Sequence, residues 1–147
     1  METTFDMIEV GAEYRSAGRT ITETDIVNFA GLTGDFNPLH MDEQWVRENT
    51  GYPGRIAHGL LVHSVAEGLR CPQMDTWKIL AFLETQRKML KPVLPGDRIE
   101  QHYRVTSKRP ASKDPRRGVV EVDVSIINQH GDIVQSGYNR YLIGGAS

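Results

Sequence analysis

The stretch GDFNPLH, residues 34–40, brings a carboxylate, an amide and an imidazole within seven positions. Asp35 and His40 are five residues apart, and Pro38 between them prevents a regular helix from running through it and restricts the residue before it. The two side chains can therefore face one point from two sides of a turn. A carboxylate and an imidazole that share one water molecule suit general acid–base catalysis. Asn37 can hold the turn through the backbone and orient a neighbour.

The segment AHGLLVHS, residues 57–64, is the second candidate for chemistry. It reads as the start of a helix, where backbone N–H groups are unpaired and the helix dipole is positive. Gly59 lets a ligand approach that backbone closely, as stabilisation of a thioester enolate requires. His58 can equally cap its helix, and Ser64 can be a satisfied polar group.

Each of these features also has a purely structural explanation, since Gly-Asp and Asn-Pro are frequent in turns. The sequence has no HExxH pattern, and Cys71 is its only cysteine, so no metal is expected. No glycine-rich nucleotide motif is present, and no cofactor is expected.

The elements that must position these residues fall into a helical first half and a β second half. Residues 12–21 can form a first strand. A helix over 21–34 is predicted from Thr22 as N-cap, Asp25 three residues later and Gly34 at its end. A short helix follows within 42–51. The apolar residues of 55–70 lie on nearly all sides of a predicted helix, which predicts that this helix is buried. Within it, Glu67 is expected to pair with an arginine such as Arg70.

The second half alternates in the manner of antiparallel strands. Residues 119–126 place Val120, Val122, Val124 and Ile126 on one face. A hairpin turn at Gly131 joins this strand to the next. With strands over 78–90 and 98–107, the α+β prediction is a five-stranded antiparallel sheet curled around one buried helix.

Composition narrows the functional classes. The 147 residues fit one domain, 1–147, with a formal net charge of −2, which gives no electrostatic case for nucleic acid or an acidic membrane. The longest apolar stretch, residues 58–69, is too short and polar to cross a bilayer. The acidic N-terminus lacks the features of a signal peptide. A single cysteine excludes an internal disulfide and favours the reducing cytoplasm.

Three segments, in their order and spacing, resemble the MaoC-like dehydratases, or type 2 enoyl-CoA hydratases. They are LTGDFNPLHMDEQWV, RIAHGLLVHS and KMLKPVLPGDRI. The resemblance implies a hot-dog fold and a homodimer that binds acyl-CoA thioesters in a tunnel near the subunit boundary. It implies that Asp35 and His40 are catalytic, that Asn37 and Ser64 support the site and that Gly59 forms the oxyanion site. Val46 departs from the Ala or Ser usual at its position.

The resemblance implies reversible hydration of a trans-2-enoyl-CoA to an (R)-3-hydroxyacyl-CoA. One alternative is a hot-dog thioesterase that uses Glu67 as base or nucleophile, and another is a non-catalytic acyl-CoA-binding subunit. For substrate binding we expect contributions from His58 and from the basic segment 108–118, where Arg116 and Arg117 would contact CoA phosphates. A solvated hairpin end explains that segment equally well.

Overall fold

A computed structural model describes all residues from Met1 to Ser147. Its centre is one six-stranded antiparallel sheet in the order β1-β4-β5-β6-β3, with β2 also paired to β4. The strands are β1 (Glu13–Arg15), β2 (Arg19–Thr20), β3 (Ile79–Met89), β4 (Arg98–Pro110), β5 (Gly118–Asn128) and β6 (Ile133–Ile143). The helices are α1 (Glu23–Thr33), α2 (Pro38–Met41), α3 (Glu43–Asn49), α4 (Gly59–Glu67) and α5 (Pro72–Asp75). None of these helices has the length and apolar content needed to span a membrane.

Strand β5 confirms the alternating pattern, because Val120, Val122, Val124 and Ile126 are all at most 2% exposed. Their side chains face the core, while the intervening residues lie on the more solvated face. The hairpin to β6 turns at Gly131, whose φ of +80° is readily reached only by glycine. Local alternation and turn chemistry therefore account for the hairpin of β5 and β6.

The prediction of one strand over residues 12–21 was wrong, because β1 and β2 are separate strands. The Ala17 N–H leaves the sheet and donates to the carbonyl of Arg70, 2.7 Å away. Gly18 lies directly against the side chain of Arg98, where a Cβ would clash. This excursion interrupts the ladder with β4 and raises the strand count from five to six.

Helix α1 is confirmed with its predicted start. The Thr22 side chain accepts from the Asp25 N–H, and the Asp25 carboxylate accepts from the Thr22 N–H. Gly34, at φ +81°, ends the helix. As predicted, no helix runs through Pro38, because α1 ends at Thr33 and Pro38 begins α2. Proline is tolerated at the first helical position because its missing N–H would have no intrahelical partner there.

Helix α4 lies against the sheet, but it is buried on one side only. Leu61, Val62 and Ala66 are at most 5% exposed and belong to a core cluster with residues of β4, β5 and β6. Leu60 is 63% exposed and Ser64 is also exposed. The prediction of burial on all sides was therefore wrong for the single chain, because no element of the same chain covers the outer face of α4.

Candidate active site

The GDFNPLH motif forms a compact exit from α1. The Asp35 Oδ1 accepts from the Asn37 N–H at 3.2 Å, and the Asn37 Oδ1 accepts from the Leu39 N–H at 3.0 Å. Asn37 is thus the N-cap of α2, which carries His40 in its last turn. The amide side chain fixes the turn that sets the spacing between the carboxylate and the imidazole.

Asp35 and His40 face each other as the motif predicted. The Asp35 Oδ2 lies 4.0 Å from the His40 Nε2, a gap too long for a direct hydrogen bond but suited to one bridging water. The His40 Nδ1 donates to the Ile56 carbonyl at 2.7 Å. That bond fixes the ring and directs its Nε2 toward Asp35. The pair can therefore bind and exchange protons with one shared water molecule.

His58 lies behind this pair and organises it. Its Nε2 donates to the Asp35 carbonyl at 3.0 Å, and its ring stacks on His40 with centroids 3.8 Å apart. The Phe29 ring packs edge-on against the His58 ring, with centroids 4.9 Å apart. His58 is only 3% exposed and does not line the adjacent cavity, so its described contacts position Asp35 and His40.

Gly59 opens α4 beside a cavity of about 340 Å³. The cavity is lined by His40 and Gly59 and by apolar groups of α4 and of residues 91–97, the loop between β3 and β4. A Cβ on Gly59 would lie 3.0 Å from the Met89 Cε, so a side chain here would crowd the cavity wall. The helix start, the imidazole and the cavity thus converge, as an oxyanion site requires.

Gln135 is a site residue that the sequence reasoning missed. Its Nε2 donates to the Gly59 carbonyl at 2.8 Å, across 76 residues of sequence, and it lines the same cavity. This bond ties the first turn of α4 to β6. The only sequence signal was a polar residue among the apolar positions of a predicted strand, which gives no indication of its partner.

Ser64 is not joined to Asp35 or His40 by any hydrogen bond within the chain. Its hydroxyl donates to the Leu60 carbonyl at 2.7 Å, within α4. It lies on the exposed face of the helix, so its supporting role stays a prediction.

Asp35, His40 and His58 are also the one group of acidic, His or Cys residues close enough to hold a metal, with ligand atoms within 4.8 Å. However, the two imidazole rings lie nearly parallel, at 26°, and each commits one nitrogen to a backbone carbonyl. Each imidazole therefore has only one nitrogen left that could act as a metal ligand.

The basic segment lies in the β4–β5 hairpin, far from the cavity of the same chain. Gly118 pairs with Ile143, and Ile143 is eight residues along β6 from Gln135, roughly 26 Å. Arg116 pairs with Asp114 at 3.0 Å. Lys108, in the same basic segment, donates to the Phe5 and Ile8 carbonyls. The contact of Arg116 and Arg117 with CoA, within the chain or across a dimer, stays a prediction.

Replacing Arg116 and Arg117 with Ala tests that contact. If they bind the nucleotide phosphates, KM for a CoA thioester rises, kcat is nearly unchanged and the salt dependence of KM becomes weaker. A pantetheine thioester lacks those phosphates and should show no change. Equal KM values for the double variant and wild type on the CoA thioester at low salt would leave the hairpin as solvated surface.

Comparison with known proteins supports the family suggested by the motifs. Residues 7–129 match the family described as MaoC like domain. The chain is 34% identical to an (R)-specific enoyl-CoA hydratase of Rhodospirillum rubrum, over 74% of each protein. It is 36% identical to Protein MaoC of Klebsiella aerogenes, over 76% of this chain but only 32% of that longer protein.

Solved structures agree with this relationship. A protein of Archaeoglobus described as a monoamine oxidase regulatory protein superposes with a TM-score of 0.89 at 34% identity, covering 99% of this chain and 97% of that one. MaoC-like and double hot-dog proteins share the arrangement of sheet and helix, so the predicted hot-dog fold is confirmed, with six strands. The chain belongs to the MaoC-like domain family.

Proposed function

We propose that the protein catalyses reversible hydration of a trans-2-enoyl-CoA to an (R)-3-hydroxyacyl-CoA. The observation that carries the proposal is the 4.0 Å gap between the Asp35 Oδ2 and the His40 Nε2, beside the N-terminus of α4 at Gly59. The names of relatives support the same reaction class, among them (R)-specific enoyl-CoA hydratase and 3-hydroxybutyryl-CoA dehydratase. The R configuration rests on those names alone.

In the proposed mechanism the thioester carbonyl binds at the Gly59 N–H, which stabilises the enolate oxygen as it forms. One water molecule lies between Asp35 and His40. Asp35 takes a proton from this water as the water oxygen bonds to C3 of the acyl group, and His40 delivers a proton to C2. Both groups contact the same water, so the roles of acid and base can be exchanged between them.

The proposed assembly is a homodimer. Strand β3 is an edge of the sheet and pairs only with β6. Six large apolar side chains of β3 and of the residue after it are between 44% and 53% exposed: Ile79, Leu80, Phe82, Leu83, Met89 and Leu90. An exposed apolar edge strand favours pairing with another chain, and a second copy would also cover Leu60 on α4.

A charge on that edge should therefore disrupt the assembly. We expect wild type to sediment as a dimer and Leu83→Asp to shift toward the monomer, because burial of an unpaired carboxylate is unfavourable. Asp123→Lys, an exposed change in β5 away from this edge, is the matched control. A wild-type protein that sediments as a monomer at micromolar concentration would contradict the homodimer.

The reaction itself is tested with crotonyl-CoA in two parallel assays. Hydration removes the ultraviolet absorbance of the enoyl thioester without releasing a thiol. A thioesterase instead releases free CoA, which a thiol reagent detects. Binding of the thioester with neither loss of absorbance nor thiol release would identify a non-catalytic acyl-CoA-binding subunit. Thiol release, or binding without reaction, would contradict the hydratase proposal.

Glu67, the base of the thioesterase alternative, is engaged in a structural network. Its Oε1 accepts from Arg87, Gln101 and Asn139. The expected pairing with Arg70 was wrong, because Arg70 pairs with Asp75 at 3.2 Å. A carboxylate held by three donors is poorly placed to attack a thioester, and this favours hydration over thioester hydrolysis.

Removing Glu67 should consequently affect stability. The Arg87 side chain is only 1% exposed, and Glu67→Ala would leave its charge unpaired. Loss of one partner of a buried ion pair costs about 3–5 kcal/mol. We expect the free energy of unfolding in urea to fall by this order, whereas Arg70→Ala at an exposed pair should change it by less than about 1 kcal/mol. Equal small effects would contradict a structural role.

A further inference from the structure

Six polar side chains lie between α4 and the sheet and have no task in the proposed mechanism. This core polar cluster consists of Glu67, Arg87, Gln101, Tyr103, Asn139 and Tyr141. Its centre is the Glu67 Oε1, which accepts from the Asn139 Nδ2 at 2.8 Å and from the Gln101 Nε2 at 3.2 Å, besides Arg87. The cluster contains one positive and one negative charge and is electrically balanced.

The cluster retains hydrogen-bonding capacity. The hydroxyl of Tyr103 accepts from the Gln101 Nε2 at 2.6 Å, and that of Tyr141 accepts from the Asn139 Nδ2 at 2.8 Å. Both phenol hydrogens are left to donate to another group. The Arg87 Nε and the Gln101 Oε1 are buried without a partner. Burial raises the pKa of both tyrosines, which keeps them protonated donors.

Strand register places the cluster next to the catalytic cavity. Met89 pairs with Gln135, and both line that cavity. The next pair facing the same way is Arg87 with Gly137, only two residues or about 7 Å further along the strands. On the helix side, Glu67 lies about 12 Å from Gly59. The cluster therefore lies next to the catalytic cavity, toward the C-terminal end of α4.

A second cavity, of about 350 Å³, borders this polar region. Its lining is mostly apolar, with Trp77 and Phe82 as aromatic walls, and it also includes Glu67, Tyr103 and Tyr141. The phenol groups and the Glu67 carboxylate thus border open space as well as the protein interior.

The acyl group of a bound thioester must point toward this region. CoA is far larger than a cavity of about 340 Å³, so the CoA moiety extends to solvent. We place the acyl group against the two most buried lining residues, Val62 at 1% and Gln135 at 2% exposed. A long alkyl chain would next meet the buried ion pair of Glu67 and Arg87, before it reached the mostly apolar second cavity. A carboxylate would add a charge that the balanced cluster does not neutralise. A hydroxyl or carbonyl oxygen can use the unmade hydrogen bonds.

We propose that the core polar cluster sets the acyl specificity of the enzyme: it selects short 2-enoyl thioesters whose far end carries an uncharged oxygen, and it excludes long alkyl chains. This inference rests on the proposed hydratase function. The side chains act as specificity determinants and take no part in proton transfer.

A panel of CoA thioesters tests the proposal on the wild-type protein. 5-Hydroxypent-2-enoyl-CoA and hex-2-enoyl-CoA have the same number of heavy atoms in the acyl group and differ only in hydroxyl against methyl. We expect kcat/KM to be at least about tenfold higher for the hydroxy compound, and at least about a hundredfold lower for oct-2-enoyl-CoA than for crotonyl-CoA. Equal values within either pair would overturn the proposal, while no hydration of any compound would overturn the proposed function itself.

A double variant assigns the preference to the cluster. Glu67→Leu with Arg87→Met replaces the buried ion pair with apolar groups, a change that proteins often tolerate. It should raise kcat/KM for oct-2-enoyl-CoA and reverse the preference for the hydroxy compound. Glu84→Leu with Arg140→Met, at an exposed ion pair between β3 and β6, is the control and should keep the wild-type order. An unchanged order in a folded Glu67/Arg87 variant would exclude the cluster as the determinant.

Discussion

Asp35→Asn and His40→Ala should each lower kcat for enoyl-CoA hydration by about 10²–10⁴-fold, because each removes one of the two proton-transferring groups. The fold should persist, since the side chain of Asp35 is half exposed and the His40 ring makes one hydrogen bond, to Ile56, and one stacking contact, with His58. Initial rates with the best substrate, together with circular dichroism spectra of each variant, provide the measurement.

The double variant of Asp35 and His40 makes the test sharper. Both groups act on one water, so their combined loss should be smaller than the product of the single losses. Asp123→Asn and His130→Ala change the same residue types at exposed positions and should retain wild-type kcat. If either single active-site variant kept near wild-type turnover, the catalytic assignment would be rejected.

Gly59→Val should lower kcat by about 10²–10³-fold, the usual effect of losing one oxyanion donor. The new side chain would cover the backbone N–H at the start of α4 and meet Met89, whose Cε is 3.0 Å from the position of a Cβ. The measurement is single-turnover hydration of crotonyl-CoA, which isolates the chemical step from binding and product release.

Two controls separate blockage of the N–H from simple crowding. Combining Gly59→Val with Met89→Ala removes the crowded side chain, and the loss should persist if the N–H is the functional group. Gly31→Val in α1 adds the same side chain where no atom lies within 4 Å, and it should leave kcat unchanged. Normal turnover by a folded Gly59→Val protein would mean that the thioester carbonyl binds elsewhere.

Local features of the fold were predictable from sequence because their interactions join residues close together in the chain. The reciprocal bonds between Thr22 and Asp25 span three residues, and the turn at Gly131 needs only a positive φ. The alternation of β5 reports one buried face. By contrast, the division of the first strand depends on Ala17 reaching the carbonyl of Arg70, which no local pattern encodes.

The same distinction applies to the candidate site. The sequence alone determined the catalytic candidates, since Asp35, Asn37 and His40 lie within six residues and the turn itself holds them together. Only the tertiary structure decided what surrounds them: the stacking of His58 on His40, and the bond from Gln135 to Gly59. These contacts depend on strand register and helix packing, because residues far apart in sequence meet only when the whole sheet has formed.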